Sequence, residues 1–208
     1  MIGMIVVFGL APFAAMMVTS YTKLVIVFGL LRAALGLQQT PPTMVINGIA
    51  IILSVYIMAP VGMEAAEALQ NRSFGAKPGA AEMLVIFDAV KGPIKGFLEK
   101  HTLQRERQFF HKTAVSIWPK QRADALAADD LMVLVPSFML SELTRAFQIG
   151  FIIYMVFIVV DMIVATVLLS LGMMMISPTT ISLPFKLLLF VTLDGWSRLV
   201  HGLVLSYR

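Results

Sequence analysis

The chain places long apolar runs on either side of a polar middle. Apolar residues dominate 2–37, 44–63, 147–176 and 183–205, and each run approaches or exceeds the roughly 20 residues that a helix needs to cross a hydrocarbon core about 30 Å thick. The first run is longer than one crossing needs and is interrupted near Thr19-Ser20-Tyr21-Thr22-Lys23. It predicts one span with a helical extension, or a kinked helix buried in protein. Thr40-Pro41-Pro42 closes it, because Pro42 disfavours a helical Pro41 and neither proline has an N–H to give. The next helix is expected to open near Met44. In the third run, 147–175 alone holds 29 residues. That is about 43 Å of straight helix at about 1.5 Å per residue, so it overshoots the bilayer unless it tilts, breaks or leaves it.

Between 64 and 130 the pattern changes. These 67 residues hold ten of the 16 basic and nine of the 12 acidic side chains. Two glycines and a proline within 71–79 predict a loop. Leu84, Phe87, Val90, Ile94, Phe97 and Leu98 approximate one face of an amphipathic helix over 82–108, with a break expected near Gly92-Pro93. The segment reads as a soluble, mostly helical insert, too long for its charge to orient the chain. The fold expected is therefore all-α: membrane helical hairpins over 1–63 and 131–208 around a soluble helical insert over 64–130.

Composition strengthens the membrane reading. Of 208 residues, 59% are hydrophobic and 13% charged, whereas a soluble domain is nearer half apolar and about a quarter charged. The net charge of +4 is too diffuse to argue nucleic-acid binding. The absence of cysteine excludes a disulfide framework, a thiolate metal site and a cysteine nucleophile. No Lys or Arg precedes the first apolar run and no clean small-residue cleavage site follows it, so it is expected to be a retained membrane segment.

The candidate chemistry lies in charges placed where lipid is expected. Asp161 sits mid-run in Ile158-Val159-Val160-Asp161-Met162-Ile163. A carboxylate there costs several kcal/mol unless it meets a partner, water or a proton. It reads either as a proton relay or pore anchor, or as an interhelical bridge that only holds the fold. Lys186 opens the fourth run after Pro184. Asp194 and Arg198 are four apart, and Glu142 and Arg145 three apart, so each couple is spaced to form a secondary ion pair on a helix. Leu171-Gly172-Met173-Met174-Met175-Ile176-Ser177-Pro178 joins the last two runs. Methionine is flexible and polarisable, so this turn is either a deformable apolar seal or incidental packing. His101, His111 and His201 lack partners at ligand spacing, so no metal site is expected. No phosphate-binding loop and no Gly-x-Ser-x-Gly elbow occurs. The expectation is a protein with no catalytic residues and no cofactor.

Several blocks together carry a resemblance. They are Thr19-Ser20-Tyr21-Thr22-Lys23 with Val27-Phe28-Gly29-Leu30-Leu31-Arg32, Gly36-Leu37-Gln38-Gln39-Thr40-Pro41-Pro42, Met58-Ala59-Pro60, Val135-Pro136-Ser137-Phe138-Met139-Leu140-Ser141-Glu142-Leu143, Ala146-Phe147-Gln148-Ile149-Gly150-Phe151, Val160-Asp161-Met162, Gly172-Met173-Met174-Met175, Pro184-Phe185-Lys186-Leu187-Leu188-Leu189-Phe190 and Asp194-Gly195-Trp196. In this order the chain resembles the R subunit of the type III secretion export apparatus, whose flagellar relative is FliP. The Gly-x-Gln-Gln-x-Pro-Pro block looks more like the injectisome branch.

The resemblance implies a multi-pass protein of the bacterial inner membrane that projects to the periplasm. It implies a homo-oligomer, expected to be a pentamer, in a helical export gate with S- and T-type subunits and a U-type switch subunit, passing unfolded effector and needle proteins. It implies that Met173, Met174 and Met175 form a pore gasket, and that Asp161 and Lys186 form a structural or gating charge pair between helices or subunits. It also offers a reason for the overlong runs, since such helices are buried in the assembly. Two other classes stay open: a secondary transporter or proton-conducting subunit using Asp161, and a membrane scaffold without a pore.

Overall fold

The computed structural model describes residues 9, 12–13, 15–70, 80–173 and 175–208, with the side chains of 80–88 outside that description. Among the described residues the chain is helical, with no strand. In chain order the helices are α1 (Tyr21–Ala34), α2 (Thr43–Gln70), α3 (Ala80–His101), α4 (Gln104–Ile117), α5 (Lys120–Ala123), α6 (Leu131–Ser170), α7 (Pro178–Thr192) and α8 (Gly195–Leu205). Two of them, α2 and α6, are long and apolar enough to cross a membrane. The α7–α8 pair passes the same test together, bent by 61° at its break.

The chain divides into two compact units, Met1–Thr22 with Ser54–Leu143, and Lys23–Leu53 with Thr144–Arg208. The division falls inside α1, α2 and α6. In the first unit the core lies between α3, α4 and the first turns of α6. Phe97 and Leu98 are buried with Val133, Leu134 and Phe138, and the Phe97 and Phe138 rings lie 5.7 Å apart. The Leu103 N–H, just before α4, donates to Ser141 Oγ at 2.9 Å, and Ser141 in turn donates to Ser137 O at 2.6 Å. The buried Ser141 hydroxyl thus supplies a partner that a purely apolar face would lack.

In the second unit α1 presents Leu24, Val27, Phe28, Leu31 and Ala34 at helical spacing, all buried. Leu31 and Ala34, with Leu35, meet Phe157 of α6 and Phe190 of α7 in one cluster. Trp196 extends it, 6.1 Å from the Phe28 ring and 5.5 Å from that of Phe190. At Gly150 a Cβ would fall 2.2 Å from Leu30 Cδ1, so only glycine lets α1 and α6 pass this closely.

Two helix ends follow directly from the sequence. After α1, Gly36 has φ +78°, and after α6, Gly172 has φ +73°. The Gly36 and Leu37 N–H groups bond to Ala33 O and Arg32 O, and those of Gly172 and Met173 bond to Leu169 O and Leu168 O. This paired closure caps the last carbonyls, and glycine reaches the left-handed conformation it needs without a Cβ clash.

Four expected boundaries move. α2 runs on to Gln70, past the expected end at Met63. α6 starts at Leu131 and absorbs Pro136 near its N-terminus, where the Ser137 hydroxyl bonds Val133 O. α3 passes unbroken through Gly92-Pro93, and the break falls at Thr102-Leu103. A proline removes one hydrogen bond, and here the packing of Phe97 and Leu98 carries the helix across it. The run 183–205 is two helices, because Asp194 takes the left-handed conformation with φ 55°. The loop expected over 71–79 lies outside the described residues.

Candidate functional site

The second unit brings Asp161 of α6 and Lys186 of α7 together. Lys186 Nζ lies 2.6 Å from Asp161 Oδ2, with side chains 5% and 28% exposed. The Ser182 hydroxyl donates to the other carboxylate oxygen, Oδ1. Ser182 and Lys186 are one helical turn apart, so α7 offers both from the same face. Lys186 also donates to Ala34 O at 3.2 Å. That carbonyl belongs to the last turn of α1, where the helix dipole favours a cation. The ammonium therefore joins α1, α6 and α7, and both carboxylate oxygens are engaged.

Next to the cluster, α6 and α7 line a cavity of about 360 Å³ with Val160, Ile163, Val164, Val167, Leu168, Ile181 and Phe185. No polar side chain faces it among the described residues. Charges in so apolar a setting attract strongly and are costly to separate.

Two further charges of the apolar runs, Lys23 and Arg32, have partners of their own. Lys23, 1% exposed, holds its Nζ 3.5 Å from the centroid of the Tyr207 ring. Arg32 donates to Pro41 O at 3.2 Å and to Thr43 Oγ1 at 3.1 Å, closing the connection that carries the cis Thr40–Pro41 bond. Neither contact was legible in the sequence, because each joins positions with no regular spacing. Ser182 was within reach, since it lies four residues before Lys186.

Glu142 and Arg145 fall on opposite sides of the division within α6; Glu142 is fully buried, Arg145 is half-buried, and neither is left without a partner. The expected Asp194–Arg198 side-chain pair does not form among the described residues. Asp194 precedes α8 in a left-handed conformation rather than lying within a helix, and the link that remains is the Arg198 N–H bonded to Asp194 O at 3.1 Å. Met173 and Met175 lie in the turn between α6 and α7, Met173 at 45% and Met175 at 101% exposure. Met174 lies outside the described residues.

Long apolar helices, a buried three-helix ion cluster and an uncharged methionine turn define an all-helical membrane protein. Residues 4–203 match the FliP family, and the chain belongs to it. It is similar to the pathogenicity-related ORF2 protein of Xanthomonas campestris pv. glycines, 55% identical over 204 residues, which cover 98% of this chain and 94% of that one. It is 52% identical over 198 residues to the Yop proteins translocation protein R of Yersinia pestis, covering 95% and 91% of the two chains. It is 51% identical over 210 residues to the hypersensitivity response secretion protein HrcR of Ralstonia nicotianae, covering 100% and 96%.

Proposed function

We propose that the chain is a pore-building subunit of a type III secretion export gate in the bacterial inner membrane. Copies of it assemble with S-, T- and U-type subunits, the insert faces the periplasm, and unfolded polypeptides pass through the shared conduit. Catalysis has no part in this reading; the chain supplies walls and a closure.

The observation that carries it is the α6–α7 hairpin. Its root is pinned by the Asp161, Ser182 and Lys186 contacts, while its tip is an exposed, uncharged turn bearing Met173 and Met175. A rigid support with a soft apolar end suits a seal that blocks ions yet yields to a chain, because methionine repacks around irregular shapes. The length of α6 agrees with burial in an assembly. Its 40 residues extend about 60 Å, roughly twice the hydrocarbon thickness. The names of the relatives, which speak of secretion and translocation, point the same way. The contacts of Asp161 with Lys186 and Ser182 support a structural pair between helices.

The test is replacement of Met173, Met174 and Met175 by alanine in secreting cells. Membrane-potential dyes are expected to report ion leakage, with secretion altered. Unchanged leakage together with unchanged secretion would overturn the gasket. Proton uptake by the purified chain alone in proteoliposomes would replace the gate with a transporter.

A further inference from the structure

The insert carries a basic pocket that the gate reading does not use. α4 turns Gln104, Arg107, Gln108, His111 and Lys112 to one side at helical spacing, and with Ala128 they line a pocket of about 270 Å³. Its walls are tied in place. Arg107 Nε donates to Ala128 O at 2.8 Å, and His111 Nε2 hydrogen-bonds Leu126 O at 3.2 Å. No carboxylate lines the pocket among the described residues. Glu99 reaches one terminal nitrogen of Arg107 at 3.4 Å, and Lys112 has no ion pair among the described residues.

Apolar side chains stand beside it. Phe109 lies three residues before Lys112 and Val115 three after it, 56% and 46% exposed. This helix face therefore offers cationic and amide donors next to uncovered hydrocarbon. Charge complementarity calls for an anionic oxygen group, and the flanking side chains call for an acyl chain. One molecule supplying both is an anionic phospholipid. Ala128 also stands three residues ahead of α6, the longer of the two helices able to cross a membrane.

We propose that this face of α4 binds the headgroup of an anionic phospholipid at the membrane surface. Lys112, Arg107 and the two glutamine amides face the phosphate, and Phe109 and Val115 enter the acyl boundary. The contact would fix the insert against the bilayer whether or not the chain builds a gate.

The chain has no cysteine, so a single introduced thiol reports alone. Val115→Cys, carrying a polarity-sensitive fluorophore, is placed with the full chain in phosphatidylcholine nanodiscs with rising fractions of phosphatidylglycerol. The emission is expected to shift to the blue, and to be quenched by nitroxide-labelled acyl chains, as the anionic fraction rises. Lys112→Gln is expected to weaken the response about five-fold, the effect of removing one basic contact with an anionic surface. Gln108→Glu serves as a second variant with the same expectation should the first disturb the helical circular dichroism. Emission independent of phosphatidylglycerol would overturn the proposal, as would variants that respond like the parent. Saturation by inorganic phosphate in pure phosphatidylcholine discs would assign the pocket to a free oxyanion instead. A probe buried in every disc would mean that a second copy covers the face.

Discussion

Two ion pairs of nearly equal length sit in contrasting surroundings. Lys186 and Asp161 meet at 2.6 Å between apolar helices, and Lys95 and Asp129 meet at 2.5 Å on the insert, with side chains 31% and 44% exposed. The chemistry is shared, but the solvent is not. Water and salt screen the insert pair, and such exposed pairs add little. In the helical pair Lys186 is 5% and Asp161 28% exposed among apolar helices, so either partner alone becomes an uncompensated charge largely removed from water. Proximity in a structure thus says little about energy until the surroundings are known.

The comparison can be broken most directly at Lys186. Lys186→Met leaves Asp161 without its cation and is expected to cost about 3 kcal/mol or more of stability in detergent, read by denaturant or thermal melting. Adding Asp161→Asn should recover much of the loss, because both charges are then gone. If Lys186→Met melts like the parent chain, the cluster is not a stabilising joint. In cells, Asp161→Ala is expected to reduce secretion or assembly, and an Asp161–Lys186 charge swap that restores neither would undercut the pair.

A second test separates charge from packing in the same unit. Tyr207→Leu removes the ring beneath the buried Lys23 ammonium, for an expected loss of about 2 kcal/mol. Tyr207→Phe, which keeps the ring, should retain more of the stability. Equal melting of the two variants would mean that the aromatic face contributes nothing. Gly150→Ala is expected to cost about 1 to 3 kcal/mol by overpacking against Leu30, with Leu30→Ala relieving part of that strain in the double variant.

The smallest effect belongs to the insert. Lys95→Ala should change melting little, and less again at high salt. The hydrogen bond from Lys95 holds the Asp129 carboxyl below its ordinary range, and the same bond raises the Lys95 ammonium above its own. The pair's contribution is therefore present across neutral pH. It is lost in acid as pH falls through the lowered Asp129 value, and in alkali as pH rises through the raised Lys95 value. A Lys95→Ala effect that persisted in acid, where Asp129 is protonated, would show that packing rather than charge is responsible.

Much of the helical plan was legible along the chain. Apolar runs of membrane length and a charge-rich centre act through local rules of length and periodicity, so 44–63 and 147–176 stand out before any folding is considered, whereas the ends of those helices at Gln70 and Leu131 do not. Reading 183–205 as one run passes over the Asp194-Gly195 dipeptide, a turn signal inside it that holds the bend splitting α7 from α8. Asp161 and Lys186 were conspicuous for a related reason, since a charge among apolar neighbours must find an answer somewhere. What the sequence alone determined, then, is that these side chains are costly and that the chain is helical and apolar. Only the tertiary structure decided the answers: Ser182 and the Ala34 carbonyl for the Asp161–Lys186 pair, the Tyr207 ring for Lys23, and no ionic partner for Arg198 among the described residues. Such contacts join residues up to 184 positions apart, as for Lys23 and Tyr207. They are set by how helix faces rotate against one another, and no local pattern encodes that rotation.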